Sequence, residues 1–470
     1  MLMSKFPKPS NKGLADPASP SLAGKRIAVI VFSYFTSDPR VFREASALAG
    51  AGAEVDLFCL RKTEAELTSE RINNVWVTRA RVTKRRVGLL HYIKQYALFT
   101  GLAFLWLTGR ILKRGLRRRY DLVHVHNMPD FLVFAALPAK LLGAKVVLDL
   151  HDPMPEVLTA KEDLKASRFL FLLNVLLKIE KLAISFADLV LTPNIAFRDL
   201  FTSRSGPEGK IQIVMNSPLE ENFPLTAPLP PPPPPAPPLP KTTSGTFKLA
   251  ISPSGTRGGL DIRMSSLKEI LPPEIFPAPP EVKKPVPPFI LMYHGTLVER
   301  HGLHNALATV AALRKTIPNL RFHFYGAETE YSKGTILPLI EKLDIGDIVQ
   351  YFGEQPQTAI ADAIRASTLG LIPNLRTAFT EINFPTRIFE YLALGKPVLV
   401  PQTRGITDYF SPADMLFFEN EEDLPARIQW IFDHPGETYA LVERGQAVYT
   451  KHLWKTEHFK FLTLIAHLLS

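Results

Sequence analysis

At 470 residues, 46% of them apolar, the chain has material for two domains with separate cores, which excludes a wholly disordered or fibrous protein. Its 55 Lys and Arg against 45 Asp and Glu leave a formal charge of +10, which favours anionic partners without choosing among sugar nucleotides, phospholipid surfaces and nucleic acid. The single cysteine, Cys59, ends an apolar strand pattern as a packed side chain; it excludes a disulfide framework and a cysteine-based zinc site and points to a reducing, cytoplasmic compartment.

Residues 1–24 are rich in Ser, Pro, Lys and Gly, have no apolar run long enough for a signal peptide, and are read as a disordered leader. From Lys25 short β-rich runs alternate with helical ones: RIAVIVF, a helix from about Pro39 to Ala49, AEVDLFCL, LVHVHN, a helical FLVFAALPAKLLG, KVVLDLHD, a long helix around Leu164 to Ile184, DLVLTP and QIVMN. Continuous apolar strands separated by helices predict a parallel sheet covered on both faces, so residues 25–222 read as a Rossmann-like domain. The most hydrophobic window, Ala97 to Leu107, is 11 residues long, short of the roughly 20 needed to span a bilayer.

Residues 223–288 hold 20 of the 42 prolines, including the run Pro230 to Pro235, and predict polyproline II and coil. This is a linker or insertion, serving as a semi-rigid spacer or as a ligand for an SH3-type or WW-type partner. The alternation restarts at Phe289 with FILMYHG, a helix from His304 to Thr316, RFHFYG, a helix around Gly334 to Lys342, IVQYFG, a helix near Thr358 to Ala366, LGLIP, a further helix and PVLVP. Residues 289–450 thus form a second Rossmann-like domain, followed over 451–470 by a helix that is apolar on one face. The two domains are expected to face each other across a cleft.

Within that second domain the segment NFPTRIFEYLALGKPVLV, Asn383 to Val400, predicts a short helix starting at Pro385 and stopping at Gly395. Its spacing puts Ile388, Phe389, Leu392 and Ala393 toward the core and turns Arg387, Glu390 and Tyr391 away. An arginine in the first turn of a helix suits a phosphate. Ligands of such domains lie outside the carboxyl ends of the strands, so the strand-to-helix loops are the candidate sites. The first, Ser33 to Ala45, lacks the G-x-G-x-x-G of dinucleotide binding; Asp38 suits a helix cap, and Arg40 and Arg43 add positive charge where the helix dipole opposes it. The loop HDPMPE sets His151 between Asp149 and Asp152 at a strand end, a position for ligand contact. In HGTLVERHG, Gly295 permits close backbone approach, and Arg300 and His301 precede a helix. No D-x-D pair occurs, so a metal-held diphosphate has no obvious ligands and no metal or other cofactor is expected.

The pieces DPRVFREASALAGAGAEV, YDLVHVHNMPD, VVLDLHDPMPE, ADLVLTPN, IVMNSP, YHGTLVERHGL, FHFYGAE, VQYFGE and PTRIFEYLALGKPVLV resemble, in order, glycosyltransferase family 4, retaining enzymes of the GT-B fold. The resemblance spares the leader and the proline-rich segment. It implies a nucleotide-sugar donor on the second domain, with Glu390 on the ribose, Arg387 and Arg300 or His301 on the diphosphate, and Gly295 and Thr296 lining the site. It further implies His151 near the reacting carbon and the acceptor along Asp38, Arg40 and Arg43. The family's acid eight residues before Glu390 falls on Ile382, with Glu381 beside it as the candidate catalytic acid. The family's G-R-x-x-x-x-K-G arginine and lysine fall on Thr296 and His301. A glycan or lipid-linked acceptor, and no nucleic-acid partner, is the expectation.

The resemblance also gives a use to residues 84–119. Lys84, Arg85 and Arg86 precede an apolar helix, and Lys113, Arg114, Arg117, Arg118 and Arg119 follow it, as in a segment that lies on the anionic inner face of a membrane. A buried helix with a solvated basic end is the competing reading. Two alternatives to a transferase stay open at this level: a sugar-nucleotide epimerase of the same fold, and a non-catalytic scaffold recruiting partners through its proline-rich arm.

Overall fold

The computed structural model describes residues 20–82, 89–115, 119–159, 166–206, 209–228 and 287–470. The basic residues Lys84 to Arg86, Arg117 and Arg118, the run Pro230 to Pro235 and most of the leader lie outside these residues. The first sheet runs β1 (Arg26–Val31), β2 (Glu54–Leu60), β3 (Ser69–Ile72), β4 (Val75–Ala80), β5 (Leu122–His126), β6 (Lys145–Asp149), β7 (Leu189–Thr192) and β8 (Ile211–Ile213). Its spatial order is β3-β4-β2-β1-β5-β6-β7-β8, parallel except for the β3–β4 pair. Around it lie α1 (Pro39–Gly50), α2 (Leu89–Arg114), α3 (Leu137–Leu141), α4 (Met154–Thr159), α5 (Ala166–Phe186) and α6 (Ile195–Ser205).

The second sheet, β11-β10-β9-β12-β13-β14, is parallel throughout and consists of β9 (Phe289–His294), β10 (Leu320–Tyr325), β11 (Val349–Tyr351), β12 (Leu369–Leu371), β13 (Val398–Pro401) and β14 (Leu416–Phe418). Its helices are α7 (Leu303–Leu313), α8 (Leu337–Lys342), α9 (Gln357–Ala366), α10 (Arg387–Ala393), α11 (Arg404–Thr407), α12 (Leu424–Asp433) and α13 (Pro435–Tyr449). The last helix, α14 (Trp454–Leu469), crosses back: Phe461, Leu462 and Ile465 are buried in the core between α1 and the first sheet.

Strand alternation explains the double-sided cores. In β1, Ala28 and Ile30 enter one cluster while Ile27, Val29 and Val31 enter the other, the period-two division of a sheet buried on both faces. The second sheet repeats this, with Leu291 and Tyr293 on one side and Met292 on the other. The expected two-domain α/β architecture is therefore observed.

Local departures have identifiable causes. The β3–β4 hairpin was not anticipated; its two-residue turn is Asn73-Asn74 with φ of 45° and 65°, the left-handed conformation that asparagine tolerates. Residues 223–228 lie along the second domain instead of hanging between the two: Thr226 N donates to Ala393 O at 2.7 Å and Tyr439 Oη to Pro228 O at 2.6 Å. The helix expected from Pro385 begins at Arg387, with Thr386 as its cap. Tyr391, expected on the outer face, is fully buried and donates from Oη to Met292 O at 2.9 Å. Its ring occupies the space left by Gly370 in β12, where an added Cβ would come within 2.6 Å of it.

The Ala97–Leu107 window is the centre of α2, a 26-residue helix that buries Phe99, Ala103, Leu107 and Ile111 at four-residue spacing. No helix among the described residues is long and apolar enough to cross a membrane.

Candidate functional site

On the second domain, β9 ends at His294 and the chain turns through Gly295, whose φ of 137° is a glycine conformation. That turn lets α10 close onto β9: Arg387 Nη1 donates to His294 O at 2.6 Å, and a Cβ on Gly295 would sit 2.8 Å from the same nitrogen. The Arg387 guanidinium also lies 4.7 Å from the Tyr293 ring centroid, over its face. One turn on, Glu390 Oε2 is 3.3 Å from His294 Nε2. Burial pushes the Glu390 carboxyl up to about 7, against Arg387 and Arg43, while burial and then Arg387 push His294 down to about 3. Burial thus disfavours the charged form of both groups at the base of the site.

The loop after Gly295 is braced internally. Thr296 O accepts from Tyr293 Oη at 2.9 Å and from His301 Nδ1 at 2.8 Å, which places the ring proton on Nδ1. Burial, with Arg387 next, lowers His301 to about 3, so it brings a neutral imidazole to the site where a cation was expected. The Arg300 guanidinium lies over Phe379, 5.3 Å from the ring centroid.

Facing these groups on the first domain are the carboxyl ends of β5 and β6 and the start of α1. Asp38 caps α1, its Oδ1 accepting from Val41 N at 3.4 Å, as its place before Pro39 predicts. Arg40 turns inward and donates twice to Asp149, from Nε and Nη2 at 2.7 Å each, and from Nη1 to Val214 O at 3.0 Å. Arg40 thus engages a buried acid and not the cleft. Arg43 donates to Asn216 Oδ1, lies over the Trp454 ring and feels the Glu390 charge across the cleft; burial, with Arg40, lowers it to about 10.

His151 sits in the loop after β6 with its side chain 20% exposed. Its backbone N–H donates to Asn127 Oδ1 at 2.7 Å, and Asn127 Nδ2 donates to Asp152 O at 2.8 Å, so one asparagine fixes the loop. His151 Nε2 points inward, 3.1 Å from Asp149 Oδ2 and 3.0 Å from His126 Nδ1. Behind it His126 Nδ1 reaches the same Asp149 oxygen at 3.1 Å, and His124 Nε2 lies 3.5 Å from Glu44 Oε2. Asp149 was singled out in the sequence only as a neighbour of His151, and His126, His124 and Glu44 not at all, although His124 and His126 share a strand face and Arg40 and Glu44 are one helical turn apart.

Donor atoms of Glu44, His124, His126 and Asp149 all lie within 4.8 Å of one another, a spacing that suits a metal ion. The set does not fit one. The Arg40 guanidinium already stands between the carboxylates, its Nε 2.7 Å from Asp149 and 3.2 Å from Glu44, so the position of a bridging cation is filled by a side chain.

Glu381 pairs with Arg376 at 3.1 Å and accepts from Arg404 N at 3.2 Å. Its neighbour Ile382 packs with Phe379 against the core of the first domain, and the Phe379 and Phe197 rings meet at 6.3 Å between centroids. An apolar side chain at position 382 is therefore an interdomain contact. Tyr409 Oη, accepting from Ile195 N at 3.0 Å, and Arg404, paired with Asp199, tie the same edges together.

Two protein-family models match the chain in succession: "Glycosyl transferase 4-like domain" over residues 37–217 and "Glycosyl transferases group 1" over residues 276–448. No curated protein matches. Among solved structures, sucrose-phosphate synthase from Thermosynechococcus elongatus is similar at 15% identity and a TM-score of 0.67, covering 94% of this chain and 99% of its own. Anabaena HepE in complex with UDP and glucose is similar at 13% identity and a TM-score of 0.59, with 94% and 99% covered. The α,α-trehalose 6-phosphate synthase of Burkholderia multivorans is similar at 12% identity and a TM-score of 0.60, with 94% and 96% covered.

Proposed function

The chain is a glycosyltransferase of the GT-B fold that resembles family 4, and we propose that it moves a sugar, with retention and without a metal, from a nucleotide-diphosphate sugar to a glycan or lipid-linked acceptor. The observation that carries this reading is the junction of Arg387, Gly295, His294 and Glu390 at the end of β9, opposite His151. HepE structures hold UDP with glucose and UDP-glucose, which supports a nucleotide-sugar donor here.

In this reading Glu390 receives the ribose hydroxyls, and Arg387 receives the diphosphate beside Gly295, where the missing Cβ lets phosphate oxygens approach backbone. Thr296 and His301 line that pocket as neutral groups, so the positive charge that stabilises the departing, negatively charged diphosphate comes from Arg387, with Arg300 near the cleft and His151 above it. The bond between the anomeric carbon and the diphosphate oxygen breaks, the acceptor oxygen bonds to the same face, and its proton passes to the released diphosphate. Closure of the domains, through Phe379 and Ile382, holds the reactants together and keeps water out. Arg387→Ala and Glu390→Ala are expected to lower transfer sharply while the thermal transition persists; full turnover in both ends this reading. Calorimetry against UDP, GDP and ADP identifies the base, and binding of none of them counts against a donor site.

A peripheral membrane position belongs to the same proposal. On α2, Leu98, Leu102, Leu105 and Leu112 are 56, 36, 65 and 70% exposed, and Leu141 of α3 with Leu170, Phe171 and Leu182 of α5 extend the apolar surface at 77, 58, 72 and 60%. Lys94, Lys113, Lys178 and Lys181 are exposed on the same two long helices. Apolar side chains among lysines suit an anionic bilayer surface. Sedimentation with vesicles containing anionic lipid should pellet the protein, and equal recovery in the supernatant with and without that lipid would refute the membrane position.

A further inference from the structure

Beneath His151 a column of ionisable side chains runs into the apolar core between α1, α14 and the first sheet. His126 and Asp149 are register partners at the ends of β5 and β6, and His124 lies one pair deeper, beside Val147 and under the Phe461 ring at 5.7 Å. Arg40, Glu44, His124, His126 and Asp149 are all at most 4% exposed, among Val29, Val31, Val41 and Val147. Such a column is expensive to bury, and it has one end in the cleft: the Asp149 Oδ2, His126 Nδ1 and His151 Nε2 atoms stand 3.0–3.1 Å from one another.

Asp149 anchors it. Burial opposes its charge, yet Arg40 and then His151 hold the carboxyl well below the ordinary range. Glu44 is the opposite case, pushed up to about 8 by burial and by Asp149 against the pull of Arg40, so at neutral pH it carries a proton. His124 and His126 are both lowered, chiefly by burial. Two of the six side chains are thus fixed ions, Arg40 and Asp149, and they neutralise each other; Glu44, His124 and His126 are neutral, and His151 is the member whose charge remains to be set.

We propose that Asp149, clamped by Arg40 and His126 with Glu44 and His124 behind them, is a positioning residue that holds His151 as a cation with Nε2 turned inward, leaving its Nδ1–H for an oxygen of the bound donor. Nδ1 has no hydrogen-bond partner among the described residues. His151 follows: burial lowers its affinity for the proton, but the Asp149 charge and hydrogen bond outweigh this and raise it above the ordinary value. The other charged or titratable groups facing it are Asp38, Arg40 and Glu44 from the first domain's opening loop and helix, His124 and His126 on β5, Asp152 beside it, and Arg300 of the second domain acting through Asp152. With Glu44 neutral, Arg40, Asp149 and His151 leave a single positive charge facing the place where the diphosphate departs.

The inference rests on the donor reading above, so the test separates the two. The His151 ring is titrated by NMR in the full-length protein, with His151→Asn identifying its signal. A midpoint above 6.5 in the wild type, falling below it in Asp149→Asn, is the expected result; a wild-type midpoint at or below 6.5 overturns the proposal whether or not the variant folds. Asp149→Asn should lower kcat by about 100-fold with the donor KM changed less than about threefold, as expected for a misplaced group and not a lost binding contact. Asp149→Glu, which keeps the charge but moves it, should restore the raised midpoint and only part of kcat. Stoichiometric zinc or manganese in the purified protein would also overturn it, since a metal would take the same carboxylate. If His151→Ala transfers sugar at the wild-type rate, the donor reading fails even where the titration succeeds.

Discussion

The two walls of the cleft are built by opposite means. On the second domain the ligand-facing groups are fixed by backbone: Arg387 on α10 by the His294 carbonyl at the end of β9, His301 by the Thr296 carbonyl of its own loop, Gly295 by its own conformation. On the first domain His151 is held by side chains from three elements that are far apart in the chain, Arg40 on α1, His126 on β5 and Asp149 on β6. A wall braced by backbone holds its arginine through a carbonyl and needs no buried ion pair to do so. A wall braced by side chains buries five ionisable groups in exchange for control over the charge of one.

That contrast predicts how each wall breaks. Arg387→Ala should have the largest effect on turnover, about 100-fold to 1,000-fold in kcat/KM, because it removes a charge at the departing diphosphate while its backbone partner stays in place. Steady-state assay with the donor identified by calorimetry measures it, and a loss under tenfold would move the diphosphate contact elsewhere. Gly295→Ala comes next. The new Cβ strains a φ of 137° and presses on Arg387 Nη1 at 2.8 Å, so it should cost about 1–3 kcal/mol of stability and lower donor affinity. An unchanged melting temperature and donor affinity would show that the loop relaxes freely and is not the rigid wall described here.

The same contrast decides what was legible in the sequence. The β9–α10 junction follows from a strand, a glycine and a helix start, each a local signal, and Arg387 and Glu390 were recognisable one turn apart. The alternation of apolar strands and helices likewise marks both sheets, since strands buried on both faces carry few polar positions to obscure them. The cluster under His151 is different: the i,i+4 pair Arg40 and Glu44 reads as an exposed helix face until α1 is laid on β5 and β6. Tyr391 misled for a related reason, because only the absence of a side chain at Gly370, some 20 residues away, makes room for its ring. Glu381 and Ile382 show the limit of counting along the chain. The acid sits one position from the expected place, and that shift turns it toward Arg376 while Ile382 takes the interdomain contact.

Ile382→Glu tests that last point by restoring an acid at the family's position. The carboxylate would replace an apolar contact against the first domain's core, so a loss of about 1–2 kcal/mol in stability with no gain in transfer is expected. A rise in transfer rate would instead show that the position faces the sugar.

Glu44→Gln probes the side-chain-braced wall with the smallest change. Glu44 stands raised to about 8 in the folded protein against an ordinary 4.5, so its contribution to stability is complete below 4.5 and is lost as pH rises toward 8. Glutamine keeps the shape and the neutral state but does not titrate. The variant should therefore melt close to the wild type at pH 5 and clearly above it at pH 8, as differential scanning calorimetry at the two pH values would read. A difference that shrinks with rising pH would mean that Glu44 is ionised against Arg40, and that the column beneath His151 carries one more negative charge than its geometry implies.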